Sequence, residues 1–177
     1  MPTTDASLAT RNYLVCLVAP VLLMGFFADQ TSKSWASLQA VEPRILVPGY
    51  LAAYSVPNAG MILGLGRDQA QTSSVFAFLG IACAGLIARI AFADLGRWPG
   101  ANCLASALLL AGIFGNTVDR LALGHVRDFL VTWAIPTVVF NVADLLVVVG
   151  CASLVMVRAC GGRRSRPHLG ATSLAAA

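Results

Sequence analysis

The sequence is short of charge. Only 11% of its 177 residues are Asp, Glu, Lys or Arg, while 58% are hydrophobic; soluble domains run at roughly 25% and 45–50%. Too few polar groups remain to cover a water-facing surface, which excludes an ordinary soluble domain and points to lipid as the solvent. Histidine is nearly missing: His125 and His168 are the whole supply, too few for a histidine-built metal centre. The five cysteines, Cys16, Cys83, Cys103, Cys151 and Cys160, are odd in number and form no CxxC, and the first four lie inside apolar runs. They read as small apolar fillers of helix interfaces. No metal, no cofactor and no disulfide is expected. The sequence also lacks Gly-x-Ser-x-Gly and Gly-x-Gly-Asp, which argues against a serine nucleophile elbow and against the pattern of other intramembrane aspartic proteases.

What the chain does have is long apolar runs with at most one charge each. Four segments, residues 12–30, 69–90, 99–118 and 138–157, approach the ~20 residues that cross a hydrocarbon core of about 30 Å at about 1.5 Å per residue. The first is short unless it takes in Asp29, which puts Asp29 near a membrane boundary. Arg11 precedes it, yet no A-x-A site follows and Val15 before Cys16 is not small. The run therefore reads as retained and unlipidated. An even number of spans puts both termini on one side. With the termini in the cytoplasm, seven cations lie inside (Arg11, Arg89, Arg97, Arg158, Arg163, Arg164, Arg166) and five outside (Lys33, Arg44, Arg67, Arg120, Arg127), the expected bias. Trp35, Trp98 and Trp133 fall near span ends, as belt residues should. Residues 1–160 read as one membrane domain. Residues 161–177 read as a disordered basic cytoplasmic tail, an anchor for the last helix and not a nucleic-acid patch.

The outer segment from about Ser34 to Asp68 mixes Pro43, Pro48, Gly49, Pro57, Gly60, Gly64 and Gly66 with short runs such as Ile45–Val47, the pattern of a few short strands. Phe129–Pro136 is apolar but only eight residues long. It cannot span, and is expected to lie along the membrane surface or cap a site. The fold class expected is an all-α membrane protein of four transmembrane helices. A small β-rich cradle lies between helices 1 and 2, and a short surface segment between helices 3 and 4.

Charged side chains in a span cost about 2.5–3.5 kcal/mol each on insertion scales, so they are functional candidates. They gather here at one level. Asp29 and Lys33 are spaced i, i+4 and can pair. Asn116, Asp119 and Arg120 share one helical face, and Asn141 and Asp144 are i, i+3. A span starting at Val138 puts Asp144 about 9 Å in from its outer end. The bland alternative is that Asp29–Lys33 and Asp119–Arg120 are interfacial ion pairs that fix the bundle, with Asn141 bridging helices. Asp128 and Asp144 differ: between residues 119 and 144 three acids meet two arginines, Arg120 and Arg127. Two carboxylates about 4 Å apart repel by about 4 kcal/mol at an effective dielectric of 20, which is roughly three pKa units. Such a pair keeps one proton near neutral pH. It then holds a base for water and an acid for a carbonyl oxygen.

The stretches Asp29-Gln30-Thr31-Ser32-Lys33, Gly115-Asn116-Thr117-Val118-Asp119-Arg120, Gly124-His125-Val126-Arg127-Asp128-Phe129 and Phe140-Asn141-Val142-Ala143-Asp144 resemble, in order and spacing, the signature boxes of the lipoprotein signal peptidase (signal peptidase II) family. The resemblance covers nearly the whole chain. It implies an aspartic endopeptidase of the bacterial inner membrane, with its site near the outer face, that cuts prolipoproteins before a diacylglyceryl-modified cysteine. It implies Asp128 and Asp144 as the catalytic pair. Asp29, Lys33, Asn58, Gly60, Asn116, Asp119, Arg120 and Asn141 would bind substrate or support the site. The implied partners are lipidated prolipoproteins and membrane lipids, with no nucleic acid, around a monomer. One box departs. The family usually reads Asn-x-Gly-x-Ala-Phe where this chain has Asn58-Ala59-Gly60-Met61-Ile62-Leu63, an exchange that stays apolar but changes volume and removes a ring, altering cradle packing or substrate fit. Two other readings compete. A non-catalytic relative would keep the fold for binding. A small proton-coupled transporter would use Asp29 and Asp144 as relay groups, but it needs polar residues through the bilayer depth, and spans two and three are almost wholly apolar there.

Overall fold

The computed structural model describes residues 14–40, 42–60, 72–93, 99–133 and 138–164. A π-helical turn, Leu14–Val18, leads into α1 (Ala19–Gln39); β1 (Arg44–Val47) and β2 (Leu51–Asn58) follow, then α2 (Thr72–Ala93), α3 (Pro99–Leu123), β3 (Val126–Thr132), β4 (Val139–Phe140) and α4 (Val142–Arg164). Among the described residues three helices are long and apolar enough to cross a membrane, over Thr72–Ala91, Gly100–Leu123 and Val142–Cys160. Helix α1 is not among them, because its second half carries Asp29, Gln30, Lys33 and four Ser or Thr residues.

Helix α3 is the hub, with 56% of its span buried against 11% for each of the other two. It packs on α1, α2 and α4. Its sequence explains why: Ala105, Ala107 and Ala111 are buried, and small side chains let backbones approach closely. The closest approaches use glycine. A Cβ on Gly150 of α4 would lie 2.7–2.9 Å from the backbone and Cβ of Leu109, and one on Gly112 of α3 would strike the carbonyl oxygen of Ala143.

The strands form one antiparallel sheet in the order β1-β2-β3-β4. Val47-Pro48-Gly49-Tyr50 turns β1 into β2: Tyr50 N donates to Val47 O at 3.1 Å and Gly49 has φ +77°, a conformation that needs glycine in a type II turn. At the end of α3, Gly124 (φ +75°) donates to Arg120 O at 3.1 Å, closing the helix with a left-handed cap and sending the chain into β3. The sheet seats on the end of α1 through a core of Ala36, Ala40, Ala53, Phe129 and Leu130.

Four expectations need adjustment. Only β1 and β2 come from the segment after the first helix; the other half of the sheet comes from between α3 and α4. Phe129–Thr132 is therefore not a surface segment. It pairs in β3 with β2 and β4, with Phe129 at 4% and Leu130 at 9% exposure, because its apolar side chains find the alanine face of α1. Residues 134–137 lie outside the described residues, as do Trp98 and the Met61-Ile62-Leu63 box. Helix α4 begins at Val142, since Val139–Phe140 is a strand, so Asp144 stands in the first turn and not about 9 Å down a helix from Val138. Finally, α4 runs on to Arg164, four residues into the stretch read as tail; 165–177 lie outside the described residues.

The glycine contacts lead to a paired test. Gly150→Ala should destabilise the bundle by about 1–3 kcal/mol through overpacking. Gly85→Ala, where a Cβ would meet nothing within 4 Å, should be neutral or stabilising by up to about 1 kcal/mol from helix propensity. Thermal unfolding of the two variants in one detergent measures the contrast.

Candidate active site

The ends of α1 and α3 bring a set of charges together under the sheet. Asp29, Lys33 and Asp119 are each 1% exposed or less, a burial that ionised groups tolerate only when paired. Lys33 Nζ lies 2.8 Å from Asp29 Oδ2 and 3.3 Å from Asp119 Oδ2, and donates to Asn116 Oδ1 at 2.8 Å. Asp29 uses its other oxygen, Oδ1, to accept from the backbone N of Ala143 at 2.8 Å, tying α1 to the start of α4. Gly115 makes room for this, since a Cβ there would strike Asp29.

Asp119 does not pair with Arg120. Neighbours in a helix point apart, and Asp119 meets Arg127 of β3 instead, with NH2 2.6 Å from Oδ1 and Nε 3.3 Å from Oδ2. Arg120 turns to the other side. Its NH2 donates to Gly60 O at 3.2 Å, its guanidinium lies 5.8 Å from the Phe76 ring centroid, and its buried Nε has no protein partner among the described residues.

Asp128 and Asp144 line the same cavity of about 540 Å³. Its walls come from α2 (Phe76, Gly80), α3 (Ile113, Asn116, Thr117, Arg120), α4 (Leu145, Val147, Val148) and the sheet (Asn58, Val126, Phe140). The lining is mostly apolar, with its polar groups at the sheet end. Both carboxylates are held by N–H donors. Asp128 accepts from Asn141 Nδ2 at 2.6 Å and from Asn58 Nδ2 at 2.8 Å. Asp144 accepts from Asn116 Nδ2 at 2.8 Å and from the backbone N of Asn141 at 3.1 Å. Asn141 Oδ1 in turn accepts from Asp144 N at 3.0 Å. Asn141-Val142-Ala143-Asp144 is thus a capping box with a carboxylate in the third helical position. Asn141, fully buried, links the two acids through its amide and its backbone.

Lys33 and Asn141 both donate to Asn116 Oδ1, the latter at 3.1 Å. That fixes the Asn116 amide with its NH2 toward Asp144. Burial pushes the Asp128 carboxyl up from 3.8 to about 6; the Asn58 amide opposes the rise, the Asp144 charge adds to it, and the Asn141 amide and Lys33 ammonium pull it back. Counting the whole cluster, Asp29, Asp119, Asp128 and Asp144 face Lys33, Arg120 and Arg127. A single proton would make it neutral, and burial favours the protonated form of Asp128.

Every supporting residue expected from the sequence falls in this cluster, with Gly60 contributing its backbone. Gln30 and Arg127 were not expected. Gln30 Nε2 donates to Asp29 Oδ2 (3.1 Å), Gly115 O (3.2 Å) and Asp119 Oδ1 (3.3 Å), and its Oε1 accepts from Arg127 NH2 at 2.8 Å. The signal for Arg127 was in the sequence: alternation along a strand turns it to the face opposite Asp128, where Asp119 waits.

A bundle with three helices apolar enough to cross a membrane and a carboxylate pair on a cavity at one end has the make-up of a membrane protein with a candidate acid–base site. Two solved structures described as bacterial membrane enzymes share the fold. One has a TM-score of 0.75 at 20% identity, covering 87% of this chain and 94% of its own; the other has 0.69 at 22%, covering 80% and 91%. The lipoprotein signal peptidase of Neisseria meningitidis is 32% identical over 167 residues, 87% of this chain and 92% of its own length. That of Xanthomonas campestris pv. campestris is 31% identical over 163 residues, 86% and 93%. Residues 21–159 match the family described as Signal peptidase (SPase) II. The chain belongs to the signal peptidase II family.

The buried pair generates a stability prediction. Lys33→Met should destabilise the protein by about 3–5 kcal/mol, because Asp29 and Asp119 are left with one cation fewer in a site closed to water. Denaturation of the detergent-solubilised variant against the wild type measures the loss.

Proposed function

We propose that this protein is a membrane aspartic endopeptidase that removes signal peptides from prolipoproteins, cutting before a diacylglyceryl-modified cysteine, with Asp128 and Asp144 as its catalytic pair. The observation that carries the reading is that both carboxylates open onto one mostly apolar cavity while amide N–H groups hold all four of their oxygens. Family membership supports the substrate class.

In this reading α1 joins the three apolar helices as the first of four spans of the bacterial inner membrane. Both termini are cytoplasmic and the sheet lies at the outer face. The signal helix approaches sideways from lipid, and its end unwinds at the sheet so that an extended segment lies across the pair. The ionised carboxylate takes a proton from a water, which attacks the scissile carbonyl carbon; the protonated carboxyl donates to the carbonyl oxygen, and the proton then passes to the leaving amine. Asn58, Asn116 and Asn141 hold the carboxylates in place, and Arg120, whose Nε has no protein partner among the described residues, lines the cavity as a donor for a substrate carbonyl.

Asp128→Asn and Asp144→Asn should each reduce cleavage of a diacylglyceryl-modified precursor by several orders of magnitude while the protein still inserts; mass measurement of the product reads this directly. Near-normal processing by either variant overturns the assignment.

The pH dependence follows from the shared proton. With Asp128 raised to about 6, kcat/KM should decline on the alkaline side with an apparent pKa near that value as the pair loses its proton. The limb in kcat should lie higher, because bound substrate displaces water and disfavours the doubly ionised pair. Initial rates across pH with saturating and limiting precursor separate the two limbs.

A further inference from the structure

Arg127 touches neither the cavity nor the two acids that line it, yet its side chain reaches Asp119, Gln30 and Ser34. Its backbone N donates to Asp119 Oδ2 at 3.0 Å and its Nε to the same oxygen at 3.3 Å. Its NH2 donates to Asp119 Oδ1 at 2.6 Å and to Gln30 Oε1 at 2.8 Å, and its NH1 to Ser34 Oγ at 3.3 Å. One side chain therefore joins β3 to both α1 and α3, one residue before Asp128. A planar fork makes such a set of parallel bonds; a lysine makes a point contact.

The second consequence is electrostatic. Asp119 is shared between Arg127 and Lys33. While Arg127 satisfies both Asp119 oxygens, Lys33 stays at 2.8 Å from Asp29 and Asn116 and only 3.3 Å from Asp119. Without Arg127, Asp119 has one cation left to draw on, and the ammonium moves toward it. Asn116 then loses the charged one of the two donors that fix its amide toward Asp144 and keeps only Asn141.

We infer that Arg127 is a positioning residue for the catalytic pair: it ties β3 to α1 and α3 beside Asp128 and, by occupying Asp119, keeps the Lys33 ammonium on Asn116. The inference rests on Asp128 and Asp144 being the reacting carboxylates. The groups facing Asp128 are Asn58 from β2, Lys33 from α1, Arg120 from α3, and Asn141 and Asp144 at the start of α4; Arg127 reaches it only through them.

The test uses the full chain, purified in detergent with added phospholipid, and a synthetic diacylglyceryl-modified precursor peptide. Wild type, Arg127→Lys, Arg127→Met and Asp128→Asn are compared for kcat, KM and the pH profile. Arg127→Met should lose on the order of ten- to a hundredfold in kcat, the scale of a small misplacement of reacting groups, with KM within about twofold since the cavity walls are untouched. Its alkaline limb should move to higher pH, because the Lys33 ammonium that holds the Asp128 carboxyl down has been drawn away. Arg127→Lys keeps the charge but not the fork, so its limb should stay in place while kcat falls by a smaller factor. Wild-type kcat and an unmoved limb in Arg127→Met, with Asp128→Asn inactive, overturn the positioning role and leave the catalytic pair standing. Full activity in Asp128→Asn overturns the catalytic pair itself. Should Arg127→Met fail to accumulate in membranes, Arg127→Lys decides: unchanged kcat refutes the fork, and reduced kcat with an unmoved limb supports it.

Discussion

The arrangement depends on one ammonium group with no access to water. Lys33 has three N–H donors, and the structure supplies three acceptors, Asp29, Asn116 and Asp119, each within 3.3 Å. Each acceptor has a second task. Asp29 holds the first peptide of α4 through Ala143, Asn116 presents its NH2 to Asp144, and Asp119 receives Arg127 from the sheet. An unsatisfied charge in such a place costs several kcal/mol, so the ends of three helices and a strand are placed by the need to complete one coordination set.

The carboxylate pair inherits its asymmetry from this set. Asp144 belongs to a helix terminus and accepts from the backbone of its own capping box, whereas Asp128 sits on a strand and is held by the side chains of Asn58 and Asn141. Burial in that setting raises the Asp128 carboxyl to about 6. The two carboxylates thus differ in setting because one lies on a strand and the other at the start of a helix.

Much of this was legible in the sequence, for reasons that can be named. Asp29–Lys33 and Asn141–Asp144 carry helical spacing, so their partners in space follow from their partners in sequence. Uncharged runs longer than a bilayer's thickness announce the apolar helices. What periodicity could not reveal is pairing between distant segments. Phe129–Thr132 is equally apolar as a surface segment or as a strand, and only the alanine face of α1 and the free edge of β2 select the strand. The same ambiguity hid the true start of α4, which moved Asp144 from inside the last span to the first turn of its helix. It also hid Arg127, which looks like an ordinary boundary cation until Asp119 is known to face it. Adjacent residues of opposite charge, such as Asp119 and Arg120, invite pairing on paper that helix geometry forbids.

The sheet is assembled from two halves that lie far apart along the chain: residues 44–58 from one side of α2 and α3, and 126–140 from the other. Asn58 reaches Asp128 only when β2 and β3 have paired, and Asn141 reaches it only when α4 has begun. During synthesis, a chain that has emerged as far as α3 holds Lys33, Arg120 and half of the cradle, and neither Asp128 nor Asp144. Contacts of such long sequence separation form late. The pocket around Asp128 and Asp144 is therefore among the last parts of this protein to be assembled, and a chain that ends before β3 carries neither carboxylate.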